Sequence, residues 1–294
     1  MRRALHPLGV LGVILVAGPV AGQYRGAHSA DYLFGVEVRD ARGLWVNPAG
    51  IAVVPEASIM GEVVLDRLID DGLRLAQYTA GFSSGGIAFG FRHDRLSDTL
   101  STNTFRLGGG RATNRFAVGL AVTYHTNADF DARREVDIGI RVSLARRLEF
   151  GAAVHHIGQP VVIDSTLTTA LTAGVGWTPL TFLRLTGEVL TADRTVGAGV
   201  VNTWRGGVQL SFGGKVPIGA FGTFTLDDDF EPARASVGFS VGGTRRGILV
   251  ASERLGDGNL RAETLSLTGV AINPLDRQQR LGQSTSRSGI TRQR

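Results

Sequence analysis

Residues 116–125 read Phe-Ala-Val-Gly-Leu-Ala-Val-Thr-Tyr-His, and this stretch decides the fold. Successive side chains of an extended strand point to opposite faces. Phe116, Val118, Leu120, Val122 and Tyr124 therefore share one face, while Ala117, Gly119, Ala121, Thr123 and His125 share the other. One face is oily and the other small or polar. The rhythm recurs along the chain. Val136, Ile138, Ile140, Val142 and Leu144 oppose Asp137, Gly139, Arg141 and Ser143; Ile87, Phe89 and Phe91 oppose Ala88, Gly90 and Arg92; Ala235, Val237, Phe239 and Val241 oppose Ser236, Gly238, Ser240 and Gly242. A soluble sandwich or propeller also alternates, but it has no need to gather glycine and charge on one face of nearly every strand. The reading is all-β: a transmembrane antiparallel β-barrel of about 14 strands, each near the 9–11 residues that cross a bilayer at a tilt.

The connections sharpen this reading. Those expected after every second strand are tight: Phe82–Ser83, Ala112–Asn114, Ala145–Arg147, Thr178–Leu180, Gly213–Val216 and Gly243–Arg245. Those between them are mostly longer and more polar, as at 94–102, 126–133, 158–166, 192–203 and 227–232. Transmembrane barrels make short turns on the periplasmic side and longer loops outside, so the parity predicts that the chain enters the barrel from the periplasm.

The ends of the chain read differently. Met1, Arg2 and Arg3 precede an apolar run from Leu8 to Val16, and Val20-Ala21-Gly22 supplies small residues for cleavage, so residues 1–22 are expected to be a signal peptide for export to the outer membrane. Beyond Gly22 charged or polar residues interrupt every apolar run, which leaves no helical span. The absence of cysteine excludes disulfides, thiolate metal sites and a cysteine nucleophile. The formal charge of +5 is spread along the chain and makes no basic face for nucleic acid. Forty-one glycines in 294 residues suit a barrel whose inward side chains must be small. Residues 273–294 carry Arg277, Arg280, Arg287, Arg292 and Arg294 among polar residues, and are expected to form a disordered basic tail in the periplasm, able to touch cell-wall or secretion-system partners.

Between signal and barrel, residues 23–55 contain Trp45-Val46-Asn47-Pro48-Ala49-Gly50. Pro48 fixes its own φ and drives Asn47 out of the helical region, so the chain must turn there. An Asn-Pro-Ala-Gly just ahead of about 14 strands resembles the outer-membrane long-chain fatty-acid and hydrophobic-compound transporter (FadL-like) family, which includes PorV-like barrels. The resemblance implies that Asn47, Pro48, Ala49 and Gly50 form the motif of a lumenal hatch. It also implies that the barrel, residues 56–272, passes a hydrophobic small-molecule ligand. A PorV-like, non-enzymatic interaction protein of a secretion system is the alternative. No long apolar extracellular segment of the kind that makes a first capture site is present. Independently, about 14 strands leave a lumen wider than the 8-stranded barrel that its own side chains fill, and residues 23–55 are long enough to occupy it.

Period two places Glu62, Arg92, Arg106, Asp137, Arg141, Glu149, Arg184, Glu188 and Arg205 inward, where both signs of charge can pair in a lumenal polar network. No catalytic apparatus, cofactor site or metal site is expected. His155 and His156, adjacent on a strand, should point to opposite faces and so cannot share a metal. Asp227-Asp228-Asp229 lacks the ligand spacing of a calcium loop, and Gly108-Gly109-Gly110 has no following helix to cradle a phosphate. The predicted partners are outer-membrane lipid and a hydrophobic ligand, with no nucleic acid.

Overall fold

The computed structural model describes residues 32–54, 56–66, 73–95, 100–127, 130–162, 165–193, 199–213, 216–242 and 247–270. The predicted signal peptide, the first residues of the N-terminal segment and the basic tail lie outside them.

Fourteen antiparallel strands close into a barrel. In chain order the strands are β1 (Ser58–Asp66), β2 (Arg74–Ser84), β3 (Ile87–Arg95), β4 (Ser101–Ala112), β5 (Phe116–Asn127), β6 (Phe130–Ala145), β7 (Leu148–Ile157), the two-residue β8 (Val161–Val162) and β9 (Ser165–Thr166), β10 (Ala170–Leu180), β11 (Leu183–Asp193), β12 (Val200–Phe212), β13 (Ile218–Leu226), β14 (Pro232–Val241), β15 (Gly247–Leu255) and β16 (Leu260–Val270). Each barrel strand pairs with its sequence neighbour, β8 and β9 forming a small separate hairpin between β7 and β10. β1 pairs with β16 from Ser58↔Val270 to Asp66↔Ala262, which removes both edges.

The alternation has the expected consequence. Ile59 is 61% exposed and its neighbour Met60 5%; Leu107 is 59% exposed and Arg106 6%; Phe239 is 66% exposed and Ser240 7%. An oily belt of this extent is untenable in water and is what lipid requires. Buried charge and exposed hydrocarbon together invert the soluble pattern.

Three connections differ from expectation. The β2–β3 turn is Gly85-Gly86, not Phe82-Ser83, because both glycines adopt the positive φ (59° and 85°) that two-residue hairpins favour, so β2 runs on to Ser84. The β10–β11 turn falls at residues 181–182, past Leu180. The predicted loop at 126–133 is mostly strand, with β5 reaching Asn127 and β6 starting at Phe130. Its polar composition marks strand that rises beyond the oily belt, which sequence periodicity does not separate from a loop. Below, the end of the barrel with these short turns is the turn end, and the opposite end is the loop end.

Residues 32–54 lie inside the barrel. They contain two single-turn helices, α1 (Gly43–Val46) and α2 (Gly50–Val53), and otherwise run without regular structure. Val36, Leu44, Asn47, Ala49 and Ile51 are almost completely buried.

Candidate functional site: the lumen and its N-terminal insert

The inner wall is a socket shaped by glycine. A Cβ on Gly119 would strike the backbone of Pro48, one on Gly139 would strike Asn47 Oδ1, and one on Gly207 would strike the Phe34 ring. At Gly108 it would come within 2.5 Å of Leu44 Cδ1, and at Gly90 within 2.8 Å of Leu44 Cδ2. Inward glycine on β3, β4, β5, β6 and β12 therefore sets how closely the insert approaches the wall. A compact apolar cluster of Ala41, Leu44, Trp45, Ile51, Met60, Ala88 and Ala121 joins the two.

An irregular backbone inside a barrel needs partners for its carbonyl groups. Wall arginines supply them. Arg205 donates to the Leu33 carbonyl at 3.2 Å, Arg141 to the Val38 carbonyl at 2.9 Å and Arg106 to the Leu44 carbonyl at 2.8 Å. Arg92 and Arg106 also face the Trp45 ring, with guanidinium carbons 5.2 and 5.1 Å from its centroid. Each arginine thus serves the insert and the wall at once.

The acidic positions complete the lattice. Glu62 accepts from Tyr32 Oη at 2.9 Å, and Glu188 accepts from the Gly35 amide at 2.7 Å and from Arg205 at 2.9 Å. Glu149 receives Arg141 and Arg184, each at 3.0 Å, together with Arg39 of the insert. Arg184 also meets Glu37 at 3.1 Å. Arg106 bridges Glu135 at 3.1 Å and Asp137 at 2.9 Å, and Arg92 pairs with Asp94 at 2.8 Å. All nine positions picked from period two face the lumen. The period carried no information on Tyr32, Glu37, Arg39, Asp40 and Arg42, which lie on the irregular insert. Glu135, two residues before Asp137 and so on the same face, was legible by the same parity and was missed.

Within the insert, burial and then the neighbouring Glu62 carboxylate push the Tyr32 hydroxyl well above its usual range. Burial disfavours the Arg42 charge, but Asp40, bonded at 2.6 and 2.9 Å, more than offsets it, so this guanidinium holds its proton more firmly than usual.

Asn47 shapes the turn of the Asn-Pro-Ala-Gly stretch and ties it to the wall. Its Oδ1 accepts from the Ala49 amide at 3.0 Å, which closes the turn that Pro48 starts. Its Nδ2 donates to the wall carbonyls of Ile140 at 3.2 Å and Ala152 at 3.4 Å.

His155 and His156 do not point to opposite faces. The β6–β7 register slips between Val136↔Ile157 and Ile138↔Val154, and His156 takes φ 57°, so a bulge turns both rings inward. His155 Nδ1 lies 3.3 Å from Asp137 and His156 Nδ1 lies 2.7 Å from Glu135.

A cavity of about 210 Å³ lies toward the turn end, between the insert and strands β11 to β16. Phe34, Val38, Phe221 and Leu249 form part of its lining, with Arg39, Arg42 and Arg184 among its polar neighbours.

No family model and no curated protein matches the chain. Solved structures do. A bacterial polysaccharide outer membrane secretin superposes with TM-score 0.52 at 8% identity, over 74% of this chain and 99% of that one. The Pseudomonas putida toluene transporter TodX aligns at TM-score 0.48 and 11% identity, over 78% and 92% of the respective chains. A Pseudomonas aeruginosa FadL homologue aligns at TM-score 0.46 and 10% identity, over 83% and 93%. At such identities the likeness is one of fold, and the secretin match carries it. The closed sheet, the oily belt and the filled lumen define the class: a transmembrane β-barrel with an internal insert. More particularly, it is a closed antiparallel barrel of 14 strands, a fold similar to that of the outer-membrane secretin.

Proposed function

We propose that the protein is an outer-membrane channel for small hydrophobic compounds with an anionic end, such as fatty acids, gated by its N-terminal segment. The cavity beside the insert carries this reading. An apolar cavity of about 150 Å³ accepts benzene. The space here, about 210 Å³, suits a small aromatic compound or a short stretch of alkyl chain. Phe34, Val38, Phe221 and Leu249 offer contact for hydrocarbon, while Arg39, Arg42 and Arg184 line the cavity together with Glu37 and Asp40. A carboxylate end would enter by exchanging with one of the ion pairs these arginines now make. Passage requires the insert to move, because it fills the lumen beyond the cavity. Its anchors are single hydrogen bonds and ion pairs rather than strand pairing, which suits a segment that shifts as a unit.

Uptake of a labelled fatty acid into proteoliposomes tests the reading. Saturable uptake that falls when Leu249→Trp fills the cavity supports it. No uptake above protein-free vesicles, with co-purification of a secreted partner, would favour the interaction-protein alternative instead.

A further inference from the structure

The inward bulge of β7 completes a second site at the loop end, on the β4–β7 wall. The ligand atoms of Glu135, Asp137 and His156 all lie within 4.8 Å of one another. A fourth donor comes from β5. His125 is only 8% exposed, and its Nδ1 and Thr104 Oγ1 are joined at 3.2 Å, which fixes the ring. Its Nε2 is buried and makes no hydrogen bond; it lies within ion-pair distance, 3.4 Å, of Glu135 Oε1, an oxygen that Arg106 also reaches at 3.1 Å. Donors bound to one tetrahedral zinc, at bonds of about 2.0–2.1 Å, stand about 3.3 Å apart. The His125 nitrogen and the Glu135 oxygen stand at this spacing, whereas His156 Nδ1, hydrogen-bonded to Glu135 Oε2 at 2.7 Å, would have to move out by about 0.6 Å to share the ion.

We propose that His125, His156 and Glu135, with Asp137 beside them, bind a divalent transition-metal ion such as zinc in the lumen. Imidazole and carboxylate together select zinc, copper or nickel over calcium and magnesium, which prefer oxygen alone. Charge agrees. Two carboxylates, Glu135 and Asp137, share the single guanidinium of Arg106, so the acidic groups of this wall outnumber its arginine. Thr104 is the positioning residue that orients His125, as a bonded second ring nitrogen does in zinc sites generally. The His156 side chain, 31% exposed, gives the ion its way in.

Cobalt is a spectroscopic probe for such a site. Titrating Co²⁺ into the tag-free, detergent-solubilised barrel should give saturable ligand-field absorption that Zn²⁺ displaces and Ca²⁺ does not. His125→Gln and His156→Gln should each abolish the tight phase, and Thr104→Val should weaken it about 10–100-fold. Heat-dependent gel mobility reports whether each variant still forms the barrel. Absence of saturable absorption in the wild-type protein, displacement by Ca²⁺, or tight binding that survives both histidine variants would overturn the proposal.

Discussion

Asn47 and Ile140 are 93 residues apart in sequence, yet the Asn47 amide donates to the Ile140 carbonyl at 3.2 Å, tying the insert to the middle of β6. The same side chain closes the Pro48 turn through Ala49. Replacing it by Ala removes both the turn closure and the tie to the wall, at a cost of about 1–3 kcal/mol. Asn47→Ala is expected to raise the frequency of channel openings in planar bilayers while leaving the heat-modifiable barrel intact. Unchanged gating would mean that Asn47 only shapes the turn.

The glycine socket makes a sterically sharp prediction. Gly139→Val and Gly119→Val place side chains where Asn47 and the Pro48 backbone now sit. The insert should leave its seat, because the wall is held by two ladders of hydrogen bonds and the insert is not. Arg42, 4% exposed, should then become a trypsin site. Limited proteolysis followed by mass spectrometry should find cleavage after Arg42 in the variants and protection in the wild type.

Glu149 stands among three guanidinium groups, those of Arg39, Arg141 and Arg184. Glu149→Gln leaves these cations facing one another, and breaking such a network costs about 3–5 kcal/mol. Arg39→Gln removes only a half-exposed partner, for about 0–1 kcal/mol. Denaturant unfolding in detergent should rank the two in that order. A double variant, Arg141→Met with Glu149→Gln, should be less destabilised than the sum of its singles.

The outward face has its own test. Leu120 lies midway along the oily row from Phe116 to Tyr124 and is 45% exposed. Arginine at the bilayer midplane costs a barrel about 2–4 kcal/mol. Leu120→Arg should lose that much folding stability in lipid vesicles, and equal stability to wild type would place Leu120 away from hydrocarbon.

The strand plan was legible because the period is two almost everywhere and both faces carry a strong signature, as from Phe116 to His125. The inward charges followed from the same parity. Their partners did not, since Arg205, Arg141 and Arg106 bind carbonyls of an irregular segment whose path has no period. The histidine pair was misjudged because one bulged residue, His156, resets the parity locally, and neither histidine announces a bulge as glycine would. The length of β5 and β6 was hidden because strands that rise out of lipid become as polar as loops.

Single-channel conductance tests the central claim most directly. The intact chain should be closed or flicker rarely, and a chain lacking residues 23–54 should form a steadily open aqueous pore, since 14 strands are more than their own side chains can fill. A truncated barrel that folds and inserts but conducts no better than the intact protein would contradict the account.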